Sequence, residues 1–491
     1  MLSSTPSTQN INVGPNLRLA ISYAIGMAWA AKRTLLEEKE AVLEESATQE
    51  PGIGHNVSKE QFADSFASCF VLSGDKDVVA VAFRENSNGI TILMANNKPD
   101  LDADAKRHVQ LVWFLLRQLA QSRGKEGISS INPDPTQKAQ RLKESQDTAK
   151  LITDLQKSLY KQNLDKQKKR INKGLSGFKS FIKDLGEIQD QNLKEEIQGE
   201  RILEKLHTLL MLLEKVSRKD VKADDSVVED MKLISKSSYD LRDCKFSAYL
   251  SCFISECQKD PRSKLYGKEL RKHASFPIHR YLKKINAIGL HFAYLVHFST
   301  TPTRRPLFKH KEKLESWPQK TQLIRVSKDT ADPEWQQSLK ILGAQFPDDG
   351  KFQEALTTAA RNFVNTLSED PAIYSGLTPH CEVKISEKTE NIRSQERPTY
   401  VGVSKLSCAG CNIYFKVRNT KVRTRGAHGK YYFPYVVPTS TNTLKLREMV
   451  KLLMEDFRKH IRRTAFSPGR SESTIPGGEQ FDMFKFLVEL Q

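Results

Sequence analysis

Apolar positions recur at helical spacing along most of this chain, and only a few short stretches carry strand-like patterns. The first 14 residues are mostly polar and read as disordered. Residues 15–46 read as one helix, with a buried run from Leu19 to Ala31 that continues into Lys32–Glu40. That run is broken by Ser22 and Gly26 and falls short of the roughly 20 residues a membrane span needs. Pro51-Gly52-Ile53-Gly54 ends it, and a helix over Lys59–Cys69 follows. Asp77–Phe83 and Ile90–Ala95 are β-branched runs flanking Asn88-Gly89, the strongest short-range hairpin signal. Val109, Leu111, Val112, Leu115, Leu116 and Leu119 mark the next helix.

From 136 to 218 the chain is helical and heavily charged, with leucines near helical spacing and Gly174, Gly177 and Gly186 as punctuation; it suits a helical hairpin or short coiled coil. Further helices are expected over 226–257, 278–298, 333–343 and 351–367, with a turn at Thr301–Pro306; the interval 320–375 reads mostly helical. Pro371–Thr378 is turn-rich, a helix begins at His380–Ile385, and Tyr400–Ser404 is a short strand. Cys408 opens a helix through Phe415, and Leu444–Ala465 is an amphipathic helix. Ser467–Glu479 reads as a flexible linker and Phe481–Leu490 as an apolar tail that docks back. No internal repeat is evident.

With 491 residues, 38% hydrophobic and 28% charged, the chain has length for two to four domains and the composition of a water-soluble protein. The formal charge of +18 favours an anionic partner, a nucleotide, a nucleic acid or a membrane surface. Residues 371–491 carry half of that excess. Seven cysteines are too few, and odd in number, for a disulfide framework; they fit a reducing compartment, the cytoplasm. Export by a route that leaves no cleaved signal would look the same in the sequence. Cys381, Cys408 and Cys411 crowd together, which points to metal or catalytic chemistry there.

Two motifs carry that chemistry, His380-Cys381-Glu382 and Cys408-Ala409-Gly410-Cys411. Cys-x-x-Cys brings two thiolates to one ion from the first turn of a helix, where the helix dipole also favours anionic sulfur. With one imidazole they make a three-ligand zinc site whose fourth position is open, and zinc so held lowers the pKa of a bound water. Glu382 is too close in sequence to His380 to be an obvious ligand but near enough to move protons. The order His-x-Glu, then (Pro)-Cys-x-x-Cys, is the signature of zinc deaminases. Here Ser407 replaces the proline, a loss that serine can offset by capping the helix.

Tyr400–Cys411, followed by Thr424-Arg425-Gly426-Ala427-His428-Gly429-Lys430, resembles a divergent clade of the cytidine-deaminase-like (nucleic acid and nucleotide deaminase) superfamily, shared by fungi and some intracellular bacteria. The resemblance covers roughly 375–440. It implies an α/β fold with a three-layer α/β/α deaminase-like core, here with a large, mostly α-helical insertion or N-terminal region. It also implies zinc held by His380, Cys408 and Cys411, with Glu382 as proton shuttle. The domain layout expected is a helical N-terminal region over 1–76, the first hairpin and helix of the core over 77–120, a charged helical insertion over 121–370, the zinc-binding core over 371–466, and a linker and tail over 467–491. The alternative is a separate N-terminal domain, with the core's hairpin hidden in 320–375.

Other residues have two readings each. Lys405, Arg425, Lys430 and His428 are candidate substrate contacts beside the site; the competing reading is a solvated basic loop and a turn histidine. Tyr431, Tyr432, Phe433 and Tyr435 could stack on a base or simply fill a core. His291, His297, Cys244, Cys252 and Cys257 suit packing better than ligation. Residues 136–218 suit a scaffold or a surface for a protein partner. The leading function is zinc-dependent hydrolytic deamination of a nucleobase in a nucleotide or nucleic acid. The alternatives are a non-catalytic basic module, with Cys381 closing a structural zinc site, and a metal-free interaction protein.

Overall fold

A computed structural model describes residues 13–30, 57–71, 78–86, 89–98, 100–124, 135–186, 201–243, 276, 278–309, most of 312–367, 372–390, 392 and most of 398–464. The Pro51–Gly54 break, Cys244, Cys252, Cys257, Lys421, the 467–479 linker and the 481–490 tail lie outside them. The fold is mixed α/β and predominantly helical. Among the described residues no helix is long and apolar enough to cross a membrane.

In chain order the elements are helix α1 (Val13–Ala30), α2 (Lys59–Cys69), strands β1 (Val79–Asn86) and β2 (Gly89–Asn96), and α3 (Ala103–Gly124). Then come α4 (Pro135–Gln162), α5 (Leu164–Gly186), α6 (Ile202–Ser217), α7 (Asp225–Asp243), α8 (Ile278–Ile285), α9 (Ala287–Thr300) and a 3-10 turn (Arg305–Phe308). The remainder is β3 (Glu312–Glu315), β4 (Gln322–Val326), α10 (Pro333–Gly343), α11 (Gly350–Asn365), β5 (Ala372–Leu377), α12 (Cys381–Glu390), β6 (Gly402–Val403), α13 (Ala409–Arg418) and α14 (Thr443–Thr464).

The chain divides into two compact units. The first takes α1, the β1–β2 hairpin and everything from β3 onward; the second takes α2 and the helices from α3 to the 3-10 turn. Each is described separately.

In the first unit a four-stranded sheet runs β3-β2-β1-β6. β1 and β2 pair antiparallel through Asn86 and Gly89, whose φ of 139° is open to glycine alone. β6 pairs antiparallel with β1 at Ala80–Val403, and β3 pairs parallel with β2. Period-2 alternation turns Ala80, Ala82, Leu93 and Ala95 to one face. There they pack with Cys381 and Ile385, four apart on α12. Val383, on another side of the same helix, belongs to a second core with α1, α10, α11, α13 and α14. α12 is thus held between a sheet and a helical layer. α1 is buried nearly all round: Tyr23 stacks on Trp335 at 4.1 Å, and Gly26 makes room for Phe363, whose ring lies 2.5 Å from where a Cβ would stand.

Three expectations fail here. Within the turn-rich stretch Ala372–Leu377 form a strand, β5, paired antiparallel with β4 in a two-stranded sheet, so the 320–375 interval, read as mostly helical, carries a strand near each end. Turn signals hid β5: Gly376 sits at φ +67°, and Ile373 is more than half exposed, so no apolar alternation marks it. Ser407 does not cap the helix that follows; its main chain is engaged by Gly426 and His428, and its hydroxyl donates to Thr424.

In the second unit α5, α6 and α7 pack in succession, and α2 lies on α9. Gly174 and Gly177 do not interrupt α5. They let rings close on it, since a Cβ at either would stand 2.4 Å from Tyr281 or 2.7 Å from Phe276. The expected 278–298 helix is two, α8 and α9, parted at Asn286. Thr301–Pro306 leads into the 3-10 turn. His291 bonds Ser65 and His297 bonds Thr301, so both histidines are packed.

Candidate metal and catalytic site

Two helix starts build the site. The main-chain carbonyl of His380 accepts the Lys384 amide at 3.0 Å, which puts the imidazole at the mouth of α12 and Glu382 in its first turn. At α13 the Cys408 carbonyl accepts from Asn412, and its sulfur accepts the Cys411 amide at 3.4 Å. Sulfur therefore takes the capping role expected of Ser407, and a helix N-terminus is where a thiolate is best stabilised. Gly410 allows the motif to sit this deep, because a Cβ there would stand 2.9 Å from the Tyr435 ring and 3.0 Å from Ile25.

His380, Cys408 and Cys411 converge. His380 Nδ1 lies 3.2 Å from Cys411 Sγ and 3.4 Å from Cys408 Sγ, and the two sulfurs are 3.4 Å apart. Tetrahedral zinc with its usual bond lengths would set such donors about 3.5–3.8 Å apart. The trio is slightly tighter, as expected of groups sharing protons. It fits a zinc ion in donor type and spacing, and among the described residues it is the group able to hold a metal.

Protonation agrees. Burial opposes the His380 charge, but the Cys408 thiolate more than offsets it and raises the imidazole to about 9. Burial pushes Cys408 up, yet the Cys411 hydrogen bond and the His380 charge hold it well below an ordinary thiol. Cys411 is driven well above by burial and by Cys408.

Glu382 is 4% exposed and borders the trio at Cys411 without joining it. Its Oε2 accepts from the Cys381 thiol at 3.3 Å. Cys381 faces the sheet among Ala80, Ala82 and Val403, its thiol pushed well up by burial and by the Glu382 charge. It stands outside the trio and does not complete a four-ligand set.

Sequence reasoning missed Lys384. Its side chain is 2% exposed, and Nζ donates to the carbonyls of Asn96 at 2.7 Å and Lys98 at 2.6 Å. Burial lowers it to about 8. Together with Thr378 Oγ1, which donates to the Asn97 carbonyl, it ties the end of β2 to the helix bearing Glu382. The one available signal was its i+4 relation to His380.

The basic loop lies alongside. Residues 422–430 run parallel to 399–409, joined at Tyr400–Arg423 and Ser407–Ala427, with the His428 amide donating to the Ser407 carbonyl and the Ala409 amide to that of Lys430. Gly426 and Gly429, at φ 113° and 67°, bend the loop around His428. Lys405 and Arg425 are exposed and Lys430 is half-buried. Arg418 is bound to Glu390 and is not available to a ligand. The aromatic run divides: Tyr435 is fully buried against His380, Tyr431 is buried and donates to Asp456, Phe433 packs on Phe363 and Tyr374, and Tyr432 is 47% exposed.

Residues 379–439 match the OTT_1508-like deaminase family, a segment that begins one residue before His380 and includes both motifs and the basic loop. That segment is deaminase-like. No curated protein and no solved structure gives a significant match to the chain.

Proposed function

We propose that the protein is a zinc-dependent hydrolytic deaminase acting on an amine-bearing nucleobase in a nucleotide or nucleic acid. One observation carries the reading: a buried carboxylate, Glu382, borders a His-Cys-Cys trio of zinc-binding spacing without belonging to it. The zinc, held by His380, Cys408 and Cys411, would make water a nucleophile near neutral pH. Glu382 would pass one proton of the water to a ring nitrogen and then the second, from the added hydroxyl, to the departing amine, so that water and the amine-bearing base become a carbonyl base and ammonia. The sheet core behind Cys381 and Ile385 fixes α12, and hence the carboxylate, while Lys384 holds the neighbouring turn. The overall charge of +18 and the exposed Lys405 and Arg425 support a phosphate-bearing substrate.

The test is Glu382→Ala. It is expected to keep one zinc per chain and to lose deamination by at least about a thousandfold. Metal content and sequencing of nucleic acid from expressing cells, scored for C-to-T and A-to-G changes, give the readout. Wild type that binds zinc yet deaminates no cytosine or adenine substrate, free or polymeric, would refute the proposal.

A further inference from the structure

The basic loop lies beside the trio, and two of its side chains form a perpendicular pair there. His428 is the first. The amide of Lys430 donates to its Nδ1 at 3.0 Å. A ring nitrogen that accepts a main-chain proton is unprotonated, so the neutral imidazole carries its hydrogen on Nε2 and presents one donor at its far edge. The loop enforces this: Gly426 and Gly429 set the bend, and the His428 amide is anchored to Ser407, immediately before Cys408. Tyr432 is the second. Its ring stands perpendicular to His428, at 89° and 5.2 Å between centroids, and nearly half its surface is open. Its aromatic neighbours in sequence are packed or half-packed, whereas Tyr432 is not among the buried set. The His428 amide bond to the Ser407 carbonyl, next in the chain to Cys408, and the Ala409 amide bond to the Lys430 carbonyl set this pair beside the trio.

We infer that His428 and Tyr432 form a base-recognition corner, in which Tyr432 offers its face to the nucleobase and His428 Nε2–H donates to a carbonyl or ring-nitrogen acceptor on that base. The inference rests on the nucleobase reading given above and adds the residues that would hold the base. Two perpendicular rings suit this task. One ring supplies a sequence-tolerant stacking surface, and the other a directional donor that fixes how the base turns. The ligand chemistry is a flat heterocycle with an acceptor at its edge, whether on a mononucleotide or in a single strand.

The zinc-loaded full chain is tested against two probes, a fluorescent cytosine analogue as a mononucleotide and the same analogue within a single-stranded oligonucleotide. Binding is read from fluorescence quenching. Tyr432→Ala is expected to weaken binding of at least one probe by about tenfold, the loss of one base–aromatic stack, while Tyr432→Phe stays within about twofold. His428→Asn keeps an acceptor for the Lys430 amide and removes the far donor; a loss of about fivefold is expected. Zinc content is expected to be unchanged in all three variants. Equal affinity of Tyr432→Ala and wild type overturns the inference, as does failure of wild type to bind either probe. Binding that depends on Tyr432 in a protein that deaminates nothing would leave the corner standing and remove the catalytic proposal. Deamination with a KM indifferent to Tyr432→Ala would do the reverse.

Discussion

Lys166, Asn163 and Gln167 are buried in the helical unit, and each directs its donors to main-chain carbonyls, those of Ser68, of Cys69 and Leu159, and of Ile285. In the unit that carries the site, Lys384 does the same. In the same unit His380, Cys408, Cys411 and Glu382 are turned on one another instead. A side chain satisfied by backbone is finished, because the carbonyl neither moves nor titrates. A cluster satisfied by other titratable side chains can exchange protons and accept a cation. The contrast locates chemistry better than burial does, since both units bury polar groups.

Metal removal should break that contrast most strongly. Binding to the native state at a thousand times the dissociation constant stabilises by about 4 kcal/mol. Chelation, or Cys411→Ser, is expected to remove the zinc and to raise hydrogen exchange at the amides of α12 and α13. Amides of α5, α6 and α7 are expected to keep their protection, and equal deprotection of both sets would show that the units are not energetically distinct. Acid should act on the other unit. His108 is 8% exposed, bonded to Ser158 through Nδ1 and without a partner at Nε2, and burial lowers it to about 4. The unfolded chain takes up a proton near 6.5 and the folded chain only near 4, so stability is full above 6.5 and falls as pH drops toward 4. The loss is on the order of 3 kcal/mol. Urea unfolding across that range should show the slope, and His108→Leu should flatten it. Gly174→Ala is the smallest expected effect. Its Cβ must displace the buried Tyr281 ring, at roughly 1–3 kcal/mol, with zinc content unchanged. A stabilised variant would mean that the ring gives way freely.

The sequence displayed what is local. Asn88-Gly89 and the flanking β-branched runs mark the hairpin, and the helices announce themselves by period, because apolar positions on one face are a property of a short window. The trio was legible because its donors lie in two compact motifs. The strands β3, β4 and β5 were not. Glu312-Lys313-Leu314-Glu315 has no apolar face, and Leu323 and Ile373 point outward, so only pairing with distant partners makes these segments strands. Lys384 was hidden for a similar reason. A lysine in a helix reads as solvated until the carbonyls of Asn96 and Lys98 are seen to meet it. His428 was visible as a residue but not as a tautomer, which depends on a turn that only glycines at 426 and 429 permit.

The pairing of β1 with β6 also sets a timetable. The Val79 amide meets the Ser404 hydroxyl across 325 residues. On a ribosome moving at about 5–20 residues per second, that interval lasts roughly 16–65 seconds. The intervening helices, each a local structure, have microseconds-to-milliseconds work to do in that time. The hairpin must therefore wait, with the apolar face meant for α12 uncovered, until the last quarter of the chain is made. Assembly of the His-Cys-Cys trio is in this sense a late step of synthesis, and a chain released early would carry the hairpin but no trio to close over it.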